Sequence, residues 1–195
     1  MSATVLMKRI AETSPRSKAR MAGVLFLLLV LTAAVTEFFA HDRLSSAADL
    51  AAGIFEVSCM IAVTLIFYDI FRPVNKRLSL LAVMFNLVGL TSELFQFQPH
   101  GVNIGLGFHG CYWILIGYLI LRSTFLPQIL GVLMAIAGVC WLTYLLPPLA
   151  SYLSPYILAT ILLVEGLAFL WLLAMGVNAQ RWKEQANAAR APIST

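Results

Sequence analysis

Charge is scarce in this chain. Asp, Glu, Lys and Arg together make up 11% of its 195 residues, where soluble domains carry about 25%. So few charges cannot solvate a globular surface, and few residues lie outside the apolar runs, so a second, soluble domain has no room. Cysteine is equally sparse. Cys59, Cys111 and Cys140 sit inside apolar runs with no CxxC pair, which argues against a disulfide framework or a zinc finger. HExxH, ExxH and GxSxG are all absent, and no second histidine stands four residues from another. The local signatures of zinc proteases, helix-borne di-iron sites and serine hydrolases therefore fail. The net charge of +4 would suit nucleic acid only if the basic residues clustered on a folded face. They stand instead at the ends of apolar runs, so no nucleic-acid partner is expected.

What the chain does contain is apolar: 61% of residues, with a mean hydropathy of +0.88. This reads as an all-α integral membrane protein, a bundle of six transmembrane helices. Residues 1–20 form a basic segment, residues 21–176 the six-helix domain, and residues 177–195 a polar, basic, frayed tail. The spans are expected at about 21–40, 51–71, 78–97, 103–121, 128–146 and 155–176. A cleaved signal peptide is the competing reading of the first run. That run is about 20 residues long, against roughly 7 to 15 for a signal peptide's apolar core, and no small-x-small site follows it. Pro73 closes the second span and Pro99 with Gly101 breaks the third from the fourth, whereas PPLASYLSP reads as a turn before the sixth. The fourth span holds Gly105, Gly107, Gly110 and Gly117, small residues that let helix backbones approach closely.

Six spans put both termini on one side. With the termini cytoplasmic, twelve of the thirteen Lys and Arg residues face inward and only Arg43 faces out, so the positive-inside rule predicts N-in and C-in.

Function is sought in the polar residues within the runs. At about 1.5 Å of rise per residue, Glu37, Glu56, Glu93 and His109 lie roughly 5 to 9 Å from the outer ends of their spans. Glu165 lies near the midplane of the sixth span, and Asn86 shares a helical face with Glu93, one or two turns deeper. An ionised carboxylate at a helix centre costs at least about 2.5 to 3.5 kcal/mol on insertion scales, and no lysine or arginine lies deep enough in a span to pair with these groups. They are expected to face the bundle interior or a wet vestibule, to carry a proton, or to be neutralised by a cation.

Each residue has a plainer reading. Glu37 can be a wetted helix end, Glu56 and Glu93 buried acids bonded to a neighbouring helix, His109 and Asn86 interhelical hydrogen-bond partners, and Asp69 a surface pair with Arg72, Lys76 or Arg77. The leading expectation is an outward-facing pocket of Glu56, Glu93, His109 and Glu165, flanked by Glu37 and Asn86, that binds a cation or protons in transport or sensing. A second is a membrane-embedded enzyme with a divalent metal ion held by Glu56, Glu93 and His109, acting on a lipid or another small apolar solute. A third is an accessory or scaffold subunit, with membrane lipid, a second copy or another membrane protein as its partner.

Several stretches carry a family resemblance: SKARMAGVLFLLLVLTAAVTEFF, FRPVNKRLSLLAVMFNLVG, GFHGCYWILIGYLILRSTFLPQILGVL and WLLAMGVN. Together they resemble a widespread family of small six-span bacterial membrane proteins described only as a domain of unknown function. FRPVNKRL and FLPQILGVL are the most specific pieces. The resemblance implies a bacterial inner-membrane protein and carries no activity and no catalytic residue.

Overall fold

A computed structural model describes residues 14–36 and 46–189. These form seven α-helices: α1 Pro15–Val35, α2 Ser46–Phe71, α3 Lys76–Leu94, α4 Ile104–Arg122, α5 Gln128–Leu142, α6 Pro147–Ala174 and α7 Ala179–Ala188. Short 3-10 turns lie at Pro99–Gly101 and Thr143–Leu145, and there is no strand among the described residues. Six of the helices are long and apolar enough to cross a membrane. By length and composition the chain is a multi-pass membrane protein.

Local signals set the helix starts. Ser14 Oγ accepts the Ser17 amide, and the side-chain oxygens of Asn75, Asn103 and Asn178 accept the amides of Leu78, Leu106 and Arg181, so four first turns have an orphan donor satisfied. α6 begins earlier than the sequence pattern implies. Pro147 and Pro148 occupy its first turn, where a missing N–H costs nothing, so the stretch read as a turn is the start of the helix. α6 ends where Gly176 takes a left-handed φ of 66°. The stretch read as a frayed tail is helical over Ala179–Ala188.

The six long helices close into a ring in which each packs on its sequence neighbours and α1 returns to α6. α4 is the most enclosed. Its glycines meet glycines of α5: a Cβ on Gly110 would lie 2.8 Å from the Gly138 carbonyl oxygen, and one on Gly117 would lie 2.7 Å from that of Gly131. On the other side of α4, a Cβ on Gly105 would stand 3.0 Å from the carbonyl oxygen of Gly89 on α3. Inside the ring, Phe26 of α1, Phe67 of α2, Trp113 of α4 and Phe169 of α6 form an aromatic plate. Phe26 stacks on Phe169 with centroids 3.6 Å apart, and Trp113 meets both edge-on at 6.3 and 5.8 Å. Leu31, Leu65, Met84, Ile129, Val139 and Leu163 point outward and are more than half exposed, as lipid-facing positions are.

All lysines and arginines among the described residues lie toward the end of the bundle where α1 begins and α6 finishes. Here Lys18, almost fully buried, donates to Asp69, which also pairs with Arg72 at 3.1 Å. The expected Asp69–Arg72 pairing is present, and the partner from α1 is new. Removing one member of such a pair costs more than removing both, because the survivor is left uncompensated. Asp69→Asn is therefore expected to lower stability by about 1–3 kcal/mol. Lys18→Met combined with Asp69→Leu should restore much of that loss in a detergent melting experiment; equal loss in both variants would show that an unpaired charge is not the cause.

Candidate functional site

The polar residues of the interior come from five helices. Thr64 of α2 and Asn86 of α3 are fully enclosed. His109, Tyr112 and Trp113 line one face of α4, Trp141 sits near the end of α5, and Glu165 of α6 is only 5% exposed.

Trp113 Nε1 donates to His109 Nε2 at 2.9 Å, and His109 Nδ1 lies 3.0 Å from Asn86 Oδ1. An indole N–H can only donate, so Nε2 must accept and the imidazole proton sits on Nδ1. Nδ1–H then donates to Asn86 Oδ1. Asn86 Nδ2 donates onward to Thr64 Oγ1 at 2.6 Å, and Thr64 Oγ1 donates to the Met60 carbonyl at 2.8 Å. Every link has one donor and one acceptor, so a neutral His109 in a single tautomer is held between α3 and the rest of α4. The chain does not relay protons, because the Asn86 amide in its middle neither takes nor gives one readily.

Glu165 lies on the other side of the same aromatic group. Trp141 Nε1 donates to Glu165 Oε1 at 2.7 Å, and the Trp141 ring meets His109 edge-on at 5.2 Å. Glu165 is also within electrostatic reach of Tyr112 and Cys140. The Tyr112 hydroxyl is turned toward Thr64 and makes no well-formed hydrogen bond, the one such enclosed side-chain atom among the described residues. The described ion pairs involve Asp69 alone, so no described lysine or arginine neutralises Glu56, Glu93 or Glu165.

Of the residues singled out from sequence, the structure brings Asn86 and His109 into contact and places Glu165 one indole ring away. Glu93 stands in the last turn of α3, half-buried, with Cγ covering Gly105, where a Cβ would lie 2.7 Å from it. Glu56 is half-buried near Cys59 on α2. Glu37 lies outside the described residues. Among the described residues no three His, Cys, Asp or Glu side chains stand together to hold a metal ion, so Glu56, Glu93 and His109 do not form the expected ligand set. Both His109 nitrogens are already engaged. Sequence reasoning missed Thr64, Tyr112, Trp113 and Trp141. Trp113 was findable, since four residues after His109 is the same helical face; the others carry no local signal.

Residues 89–176 match the family model described as Domain of unknown function (DUF4386). The matched stretch is less than half of the chain and runs from the last turns of α3 to the glycine that ends α6. It contains His109, Tyr112, Trp113, Trp141, Glu165 and the Gly110, Gly117, Gly131 and Gly138 crossing. FLPQILGVL lies inside it and FRPVNKRL outside, so the similarity to a family of unknown function rests on the second half of the chain. No curated protein and no solved structure matches the chain.

Proposed function

We propose that the chain is a multi-pass protein of a bacterial inner membrane, with both termini cytoplasmic, in which Glu165 takes up and releases a proton or a cation in transport or sensing. The observation that carries this reading is an almost fully enclosed carboxylate that has a tryptophan N–H on one oxygen and no basic partner among the described residues. A buried charge without a counter-charge costs several kcal/mol, so the site is neutralised by whatever small positive species reaches it. Oε2 is left for that species. The hydrogen-bonded chain through His109 supplies a rigid wall, and Trp141, wedged between His109 and Glu165, transmits that rigidity to the carboxylate. The orientation is supported by the positive-inside count and by the crowding of described cations at the terminal end.

Infrared difference spectra of the purified protein across an acid–base step test it. A carboxylic-acid carbonyl band is expected that Glu165→Gln removes and Glu93→Gln leaves. Loss of the band on adding a cation at constant pH would identify that cation as the exchanging species. The same spectrum in the parent and in Glu165→Gln would overturn the proposal.

A further inference from the structure

At the terminal end, the chain leaves α6 through Gly176 and turns into α7, which is tied across to the link between α4 and α5. The Asn178 amide donates to the Phe125 carbonyl at 3.1 Å, and the Thr124 amide and hydroxyl both donate to Gln185 Oε1 at 3.0 Å. α1 closes the third side: Arg16 Nε donates to the Met175 carbonyl at 3.2 Å, and a Cβ on Gly176 would stand 2.9 Å from the Arg16 carbonyl oxygen. Between these three walls lies a cavity of about 550 Å³, whose lining includes Arg16, Thr124, Trp171, Met175, Asn178 and Arg181.

Its chemistry is one-sided. Two guanidinium groups line it and, among the described residues, no carboxylate does. The described acids at this end of the bundle are engaged elsewhere: Asp69 with Lys18 and Arg72, and Glu184 with Gln180 at 3.3 Å. Each arginine spends one donor on a carbonyl, Arg16 on Met175 and Arg181 on Thr124 at 3.4 Å. A guanidinium has five N–H donors in a planar fork that matches phosphate oxygens. The anchored bonds fix where the forks stand and leave most of their donors unused. The opposite wall is apolar, with Trp171 39% and Met175 53% exposed, and Leu163, Leu167 and Leu170 on the same helix are half-exposed or more. A free inorganic anion would have no use for that wall. A lipid would.

We propose that this cavity binds the headgroup phosphate of an anionic phospholipid, with Arg16 and Arg181 clamping its oxygens and Trp171 and Met175 receiving the first part of the acyl chains. Basic pockets between helices at the cytoplasmic side of membrane proteins suit such headgroups, and the volume fits a small-molecule site of about 300–1,000 Å³. The site uses neither Glu165 nor its titration and stands apart from the proposed function.

Native mass spectrometry of the full-length protein released from detergent tests it, with phosphatidylglycerol or phosphatidylcholine added. The expected result is one retained phosphatidylglycerol per chain in preference to phosphatidylcholine. Arg16→Gln with Arg181→Gln should weaken retention about tenfold or more, whereas Lys183→Gln, exposed on α7 outside the cavity, should leave it unchanged. If the double glutamine variant does not fold, Arg16→Lys with Arg181→Lys keeps the charge, loses the fork and should show reduced retention. Retention indifferent to headgroup charge, or equal in parent and variants, overturns the proposal. Thermal stabilisation by inorganic phosphate without a lipid adduct overturns the lipid source.

Discussion

Gly110→Ala combined with Gly138→Ala is expected to leave little folded protein. A Cβ on Gly138 would stand 2.7 Å from the Gly110 carbonyl oxygen and 2.8 Å from the Ile114 amide nitrogen, and one on Gly110 would stand 2.8 Å from the Gly138 carbonyl oxygen. These obstacles are backbone, which cannot rotate aside as a side chain can, so the two helices must part. Parting them also opens the Gly117 and Gly131 crossing, which lies seven residues away on each helix, two turns along the same seam. Overpacking a well-fitted core costs about 1–3 kcal/mol per site, and two sites facing backbone put the loss at about 3 kcal/mol or more. Gly53→Ala and Gly166→Ala are the controls. Nothing lies within 4 Å of a Cβ at either position, and alanine in a helix is favoured over glycine by roughly 0.5–1 kcal/mol. Folded fraction during denaturant titration in detergent reads all three. A double variant as stable as the controls would show that the α4–α5 seam has slack.

Asn86→Leu carries the second large effect. Asn86 is fully enclosed and joins two helices: it accepts from His109 Nδ1–H and donates to Thr64 Oγ1. Leucine leaves the buried His109 N–H without an acceptor, for an expected loss of about 1–3 kcal/mol. The same bonds make a spectroscopic prediction. In protein carrying His109 as its only histidine, with His41 and His100 replaced, nitrogen-15 spectra should show Nδ1 protonated and Nε2 bare. Trp113→Phe removes the donor that holds Nε2 bare and should admit the other tautomer. A parent protein protonated at Nε2 would contradict the direction of the whole chain from Trp113 to Met60.

How far the sequence is legible follows from what a membrane helix has to say about itself. A run such as 128–146 is apolar on every side, so it announces a span and nothing about which face turns inward, because lipid and protein core are equally apolar. α5 accordingly appears where expected, while its pairing with α4 through Gly131 and Gly138 has no signature until the partner glycines at 117 and 110 are brought opposite. The start of α6 escapes the sequence pattern for a different reason. Pro147 and Pro148 end a helix in most positions but begin one in its first turn, and only the chain's path distinguishes the two. α7 has no signature in the sequence because residues 177–195 are polar, and a short polar helix persists only when tertiary contacts hold it: Trp182 donates to the Ile70 carbonyl at 2.8 Å and Gln185 accepts from Thr124.

The polar residues divide in the same way. The order of residues alone determined that Glu56, Glu93, Glu165, His109 and Asn86 sit in apolar runs without a basic residue at their depth, because charge position and span length are properties of the chain itself. Tertiary structure alone decided that His109 is locked between Asn86 and Trp113, that Trp141 serves Glu165, and that Glu93 stands over Gly105 at the end of its helix. Depth along a span is one coordinate, counted from the sequence. Neighbourhood needs the other two, and those are set by backbones that touch at glycine and by aromatic rings that fill what is left between helices far apart in the chain.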